Sequence, residues 1–216
     1  MIVGRYLLAD YVRSRRFVAP LLLLAVGVAL FYSQPGMPVL STAGACAAYL
    51  FPIQCWVALS FLNAQSASDR HVLAATVGGR RFVVGRLLAA GALAAFSSVL
   101  ALGYPLVSGV YEHTPHLNEI GLILSANLIA TVSGTALSAL FAQPIVQSRA
   151  VSVLGIAVCA LLTVPLDLPP TLPTARALDT IDASQVPARL IGDLVTVSTF
   201  ALGVTVICAR LWRRRE

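Results

Sequence analysis

Apolar residues run along this chain in long blocks. They lack the strict alternation of a half-buried strand and the one-sided stripe of a soluble helix. The blocks cover residues 17–33, 39–62, 82–110, 120–142, 150–166 and 189–212. A bilayer takes about 20 residues of helix to cross. Each block is therefore expected to be a transmembrane helix, with the first and fifth short for the task. The expected fold is an all-α integral membrane protein of six spans, in one transmembrane domain over residues 1–216.

The polar interruptions give the rest of the plan. Residues 1–16 mix Arg5, Asp10, Arg13, Arg15 and Arg16 with Tyr6, Leu7 and Tyr11. They are read as an interfacial lead-in helix whose arginines reach back to water. A bend near Arg16 would separate that reading from a simple extension of span one. Gln34-Pro35-Gly36-Met37-Pro38 is a tight turn. Asn63 to Leu87 is the most polar stretch between two spans, and its middle, Ala67 to Val77, predicts about three helical turns. Gly78-Gly79 would end them, since glycine accepts a left-handed backbone. Arg80 and Arg81 then mark the water boundary. Between spans five and six lies the long outer stretch 167–187, rich in proline, with a short helix expected over 174–181.

Inside the spans, Ala126, Ala130, Gly134, Ser138 and Ala142 place a small residue at every fourth position of span four. Such a row lets another helix approach closely. Gln54 and Ser60 on span two are uncharged polar residues, with Gln54 near mid-span. They would either line a pathway or bond helix to helix, because a mid-span amide needs a partner or water.

Composition and charge support a membrane class. The chain is 58% hydrophobic with 11% charged residues, less than half the charge of a typical soluble domain. Every basic residue is arginine. Thirteen of the 15 lie on the side of the termini and of the 63–87 loop, and only Arg176 and Arg189 on the other. The positive-inside rule then puts both termini in the cytoplasm of a multi-pass cell-membrane protein. Membrane lipid, and no nucleic acid, is the partner expected of these arginines. The four cysteines fall inside apolar runs and read as buried hydrophobes. No cleavable signal peptide is expected, as the first apolar run starts after Arg16.

Sites of chemistry are scarce. A phosphate-binding loop of the form G-x-x-x-x-G-K-[ST] needs a lysine, which the chain lacks. Thr131-Val132-Ser133-Gly134 lacks the first glycine of an intramembrane serine protease motif. Glu112, His113, His116 and Glu119 are ligand types, but Pro115 breaks any helix that would align them. Asp193 lies near the outer start of span six, one turn from Arg189, and reads as an interfacial pair. No catalytic residue, metal site or bound cofactor is expected, and the chain is not expected to be an enzyme.

Asp69-Arg70, Leu73, Val77-Gly78-Gly79-Arg80-Arg81-Phe82 and Gly85-Arg86-Leu87 carry a resemblance. Together with the lead-in helix and six spans, they make the chain similar to permease subunits of ATP-binding-cassette transporters of the type-two, exporter-like family. The resemblance implies a separate P-loop ATPase subunit holding ATP and magnesium. It implies a second permease chain, as homodimer or sibling heterodimer, paired through spans including two and five. It also implies a coupling helix at 67–77 that sits in a groove of the ATPase, using Asp69, Arg70, Leu73, Val77, Arg80 and Arg81. Gln54 and Ser60 remain pathway-lining candidates. Export of a drug, peptide or lipid-like substrate is the expected function. The alternatives are a substrate-binding membrane subunit of an ATPase-driven uptake system, which needs a polar pocket, and an intramembrane enzyme, which needs converging ionisable groups.

Overall fold

The computed structural model describes residues 2–143, 145–146, 148–163 and 186–213. Among them the fold is helical, and the only bridge of strand type joins Met37 to Tyr111. The elements are α1 (Ile2–Arg13), α2 (Val18–Phe31), α3 (Val39–Leu62), α4 (Ala67–Val77), α5 (Gly79–Ser108), α6 (Leu117–Phe141), α7 (Arg149–Thr163) and α8 (Val186–Arg213). Four of these, α3, α5, α6 and α8, hold apolar stretches long enough to cross a membrane, and the bent pair α1–α2 makes up to five. Among the described residues this is a membrane protein with four or five membrane-capable helices. The expected fifth span, 150–166, is described only as far as Thr163, and α7 there has 15 residues. The outer segment 167–187, apart from its last two residues, lies outside the described residues, and so does the expected helix at 174–181.

The bundle is built on α3. Its 24 residues are apolar on nearly every side, and most are buried. Only a narrow stripe through Pro52 and Trp56 stays exposed. The small-residue row of α6 lies against it: Ala126, Ala130 and Ser138 are almost fully enclosed. At the closest approach, a Cβ added to Gly134 would stand 3.2 Å from Cβ of Gln54 and 3.3 Å from the Cys55 nitrogen. Ser138 Oγ donates across the same seam to the Cys55 carbonyl at 2.8 Å. The row therefore serves a contact within the chain. Gly27 does the same for α2, since a Cβ there would fall 2.0 Å from the Tyr49 ring.

The lead-in helix is a separate element. The chain bends by 80° between 6–13 and 18–31. The corner is made at Arg15, with φ of 54°, a left-handed geometry that costs a non-glycine residue about 1–2 kcal/mol. Tyr11 offsets that cost: it is fully buried, its ring meets Phe61 edge-on at 5.4 Å, and its hydroxyl bonds Ser60. At the opposite end, Gly36 and Met37 donate to the Val110 carbonyl at 2.8 and 3.2 Å. The Tyr32 and Tyr111 rings stand edge to face there at 5.8 Å.

Gly134→Leu is expected to lower the stability of the detergent-solubilised protein by about 1–3 kcal/mol through overpacking of the α3–α6 seam. Gly203→Leu, with nothing within 4 Å of its added Cβ, is expected to leave the melting temperature unchanged. Equal melting of the two variants would contradict the close packing at Gly134.

Candidate functional site

The stretch 63–87 folds into two helices joined at a sharp corner. Ser66 caps α4, its Oγ accepting from the Asp69 amide at 3.1 Å, which satisfies a first-turn N–H that has no partner within the helix. Gly78, with φ of 90°, ends α4, and α5 starts at the next residue. Span three was expected to begin at Phe82. One glycine suffices for the turn, so Gly79, Arg80 and Arg81 become the first turn of α5, and the Phe82 amide bonds the Gly78 carbonyl at 3.0 Å.

The structure divides the residues singled out on α4. Asp69 is exposed at the cap. Arg70 turns inward and is only 8% exposed. Leu73 is half-buried against the protein's own core, and Val77 is half-buried. The outward face carries Asp69, Val72 and Thr76, with Val72 62% exposed. Arg81 is exposed, and the side chain of Arg80 lies outside the described residues. The apolar side chain offered outward is thus Val72, where Leu73 was expected.

Behind α4 lies a polar cluster that the sequence reading missed. Arg70 Nη1 donates to Gln143 Oε1 at 2.8 Å and to the Gln65 carbonyl at 3.4 Å. Arg86 Nη1 donates to the Gln143 carbonyl at 3.3 Å. The Gln143 amide donates to Asn63 Oδ1 at 3.0 Å. Gln143 lies two residues past the end of α6, so it gathers the ends of α3 and α6, the first turn of α4 and the second turn of α5. Burial draws the Arg70 guanidinium below its ordinary value. Arg86 had been counted with the arginines of the 63–87 loop, yet it is only 5% exposed. The available signal was position: Arg86 lies five residues beyond Arg81 on one helix, about 7.5 Å deeper.

Gln54 lies fully enclosed, and its amide donates to Ser98 Oγ on α5. Ser98 in turn lies 3.1 Å from Thr131 Oγ1 on α6. In this structure Gln54 ties three helices together. Ser60, besides bonding Tyr11, rims a 330 Å³ pocket with Arg16, Trp56, Leu59, Asn63 and Val153. Arg16 Nη1 donates there to the Asn63 carbonyl at 3.2 Å.

The loop between α5 and α6 has a local role. His113 lies between Glu112 and Glu119 at 3.5 and 3.2 Å, and Glu119 and His116 form a reciprocal cap at the start of α6. Among the described residues no group of three or more His, Cys, Asp or Glu side chains is arranged to hold a metal. Asp193 is half-buried near the start of α8. The arrangement is a short capped helix that turns into α5 at one glycine, with one face exposed and the other bonded to the neighbouring helix ends. Comparison with family models, with curated proteins and with solved structures finds no match.

Gln143→Ala is expected to speed hydrogen exchange of the α4 amides about tenfold, near the 1.4 kcal/mol scale of a hydrogen bond to a charged group. Exchange in the middle of α6 is expected to stay unchanged. Unaltered exchange in α4 would show that the Gln143 contact does not hold that helix.

Proposed function

We propose that the chain is the membrane-spanning permease subunit of an ABC-type transporter, driven by a separate P-loop ATPase and exporting an amphiphilic, lipid-like or drug-like substrate. The observation that carries this reading is the α4–α5 corner. A discrete, capped helix presents a free face of Asp69, Val72 and Thr76, while its inner face is bonded to the helix ends through Arg70 and Gln143. Such a helix transmits a push instead of absorbing it, because packed elements move as units. The six-span arrangement with cytoplasmic termini belongs to the same proposal and rests on the arginine distribution.

The ATPase contact is assigned to Asp69, Val72 and Thr76, flanked by Arg80 and Arg81, with Arg70, Leu73 and Val77 supporting from behind. ATP and magnesium stay on the partner. A second permease chain pairs along the open stripe of Pro52 and Trp56 on α3 and the exposed face of α7, which includes Val153 and Leu154. That pairing is consistent with spans two and five as the family's contact. The uptake alternative is less well supported, because the crevice between α5, α6 and α8 is lined mainly by Leu, Val, Ala and Gly side chains.

A tagged chain lacking 67–77 is expected to reach the membrane and to lose co-purification of a P-loop ATPase. Val72→Asp is expected to weaken it at least tenfold, given a desolvated apolar anchor at the contact. In intact cells, a cysteine placed at Val72 is expected to resist a membrane-impermeant maleimide until the membrane is opened. Labelling from outside, or full ATPase capture by the deletion variant, would overturn the proposal.

A further inference from the structure

Arg16 follows directly on Arg15, where φ of 54° turns the chain. The turn brings its guanidinium to the end of α3. There Nη1 donates to the Asn63 and Ala64 carbonyls at 3.2 and 3.4 Å, where a helix leaves its last carbonyls open and favours a cation. Nε and Nη2 make no hydrogen bond among the described residues, and no carboxylate there pairs with the guanidinium. Arg13 and Arg15 are exposed beside it, and Asp10 is the one acidic residue of 1–16. The corner therefore presents a positive surface with hydrogen-bond donors to spare.

The 330 Å³ pocket opens at this point, lined by Arg16, Trp56, Leu59, Ser60, Asn63 and Val153. Nη1 bonds Asn63, itself part of the wall, so the guanidinium stands at the pocket and not only its stem. The acceptors of the wall are already engaged. Ser60 Oγ pairs with the Tyr11 hydroxyl and donates to the Val57 carbonyl at 2.9 Å. Asn63 Oδ1 accepts from the Gln143 amide, and the Asn63 carbonyl accepts from Arg16. Trp56 is 42% exposed, and its indole N–H makes no hydrogen bond among the described residues. What the pocket lacks is an acceptor bearing negative charge. Its other side is apolar, and an apolar track leads away from it: Pro52 is exposed one turn further from Asn63 on α3, and Leu154 and Val158 are exposed on α7.

We propose that this pocket holds the headgroup of an anionic phospholipid, with its phosphate on the Arg16 guanidinium beside Trp56 and an acyl chain along Pro52 and the exposed side of α7. A phosphate supplies the charged acceptors the pocket lacks, and a guanidinium takes it in bidentate form. The surplus of arginine at the corner favours a net negative headgroup over a zwitterionic one. The level fits as well. Trp56 lies six residues before the end of α3 at Leu62, about 9 Å along the helix, within the roughly 5–10 Å of the headgroup and acyl boundary, where tryptophan is enriched. A free phosphate ion would leave the apolar side of the pocket uncovered, so the bilayer is the source. The pocket lies at the Asn63 end of the stripe assigned to a second chain, at the margin of that contact, and needs neither that chain nor the ATPase.

The test uses the full-length protein carrying Trp212→Phe, which leaves Trp56 as its only tryptophan, in vesicles of phosphatidylcholine and phosphatidylglycerol. One lipid or the other carries brominated acyl chains, which quench tryptophan on contact. Phosphatidylglycerol is expected to occupy the site about tenfold more favourably than phosphatidylcholine, the scale of one charge-assisted bidentate contact. Arg16→Gln is expected to abolish that preference and Arg16→Lys to keep part of it, since a point charge replaces the planar fork. Val153→Glu, at a position 56% exposed, places a carboxylate in the pocket. It is expected to abolish the preference with Arg16 intact, so the proposal stands or falls even if Arg16 variants fold poorly. Arg13→Gln removes an exposed cation outside the pocket and is expected to leave the preference unchanged. Equal quenching by the two lipids, a preference that survives Arg16→Gln or Val153→Glu, or one lost equally in Arg13→Gln would overturn the proposal. Trp56 emission shielded from both lipids would overturn it in favour of a second copy seated on the pocket. Reversal of the quenching by inorganic phosphate would overturn it in favour of a soluble anion.

Discussion

The contact between α3 and α6 is the constraint from which the bundle follows. Lipid tails are as apolar as leucine, so two helices in a membrane gain little from hydrophobicity alone and must gain from close packing and interhelical hydrogen bonds. Here the gain comes from Gly134 against the Gln54–Cys55 backbone and from Ser138 donating to the Cys55 carbonyl. Larger side chains anywhere along the row would separate the axes and forfeit both. Once α3 and α6 are joined, α5 closes over them through the Gln54–Ser98–Thr131 hydrogen bonds. The remaining helices lean on this three-helix core, and α8 keeps most of its apolar surface outward.

That order of packing explains what the amino acids disclose by themselves. The row from Ala126 to Ala142 was legible because small residues at helical spacing leave few other uses. Helix α4 was legible in its extent, Ala67 to Val77, with Gly78 as its stop; the Ser66 cap that begins it was not singled out from the sequence. The facing of the helix was not legible. Ala67, Ala74 and Ala75 flatten the difference between its sides, so Leu73 was named for the partner contact, whereas the protein's own core half-buries it and leaves Val72 exposed. Arg86 was illegible for a different reason. A guanidinium one and a half turns inside a span reads as a boundary charge unless the neighbouring ends are known, and Gln143 is 57 residues away along the chain.

The extent of the spans was read less well than their number of apolar blocks implied. Block one stays one helix, and the corner at Arg15 lies just before it, close to the bend near Arg16 that separates the lead-in helix, although arginine is an unusual choice for a left-handed position. Block five yields a helix with one inward face, where Ser152 and Ile156 are buried while Val153, Leu154 and Val158 are exposed. Gly155 lies against the Phe141 ring, a Cβ there falling 2.3 Å from it.

The bond from Arg70 to Gln143 also has an evolutionary reading. It ties a loop-borne helix to a residue far away in the chain, so the two positions cannot drift independently. A homologue that replaced Gln143 with an apolar side chain would take from a buried cation its shortest bond, and one that replaced Arg70 would take from the Gln143 side chain its guanidinium partner. Changes at these two sites should therefore arrive as pairs, and a graft of helix 67–77 into a related scaffold would have to bring the turn after α6 with it.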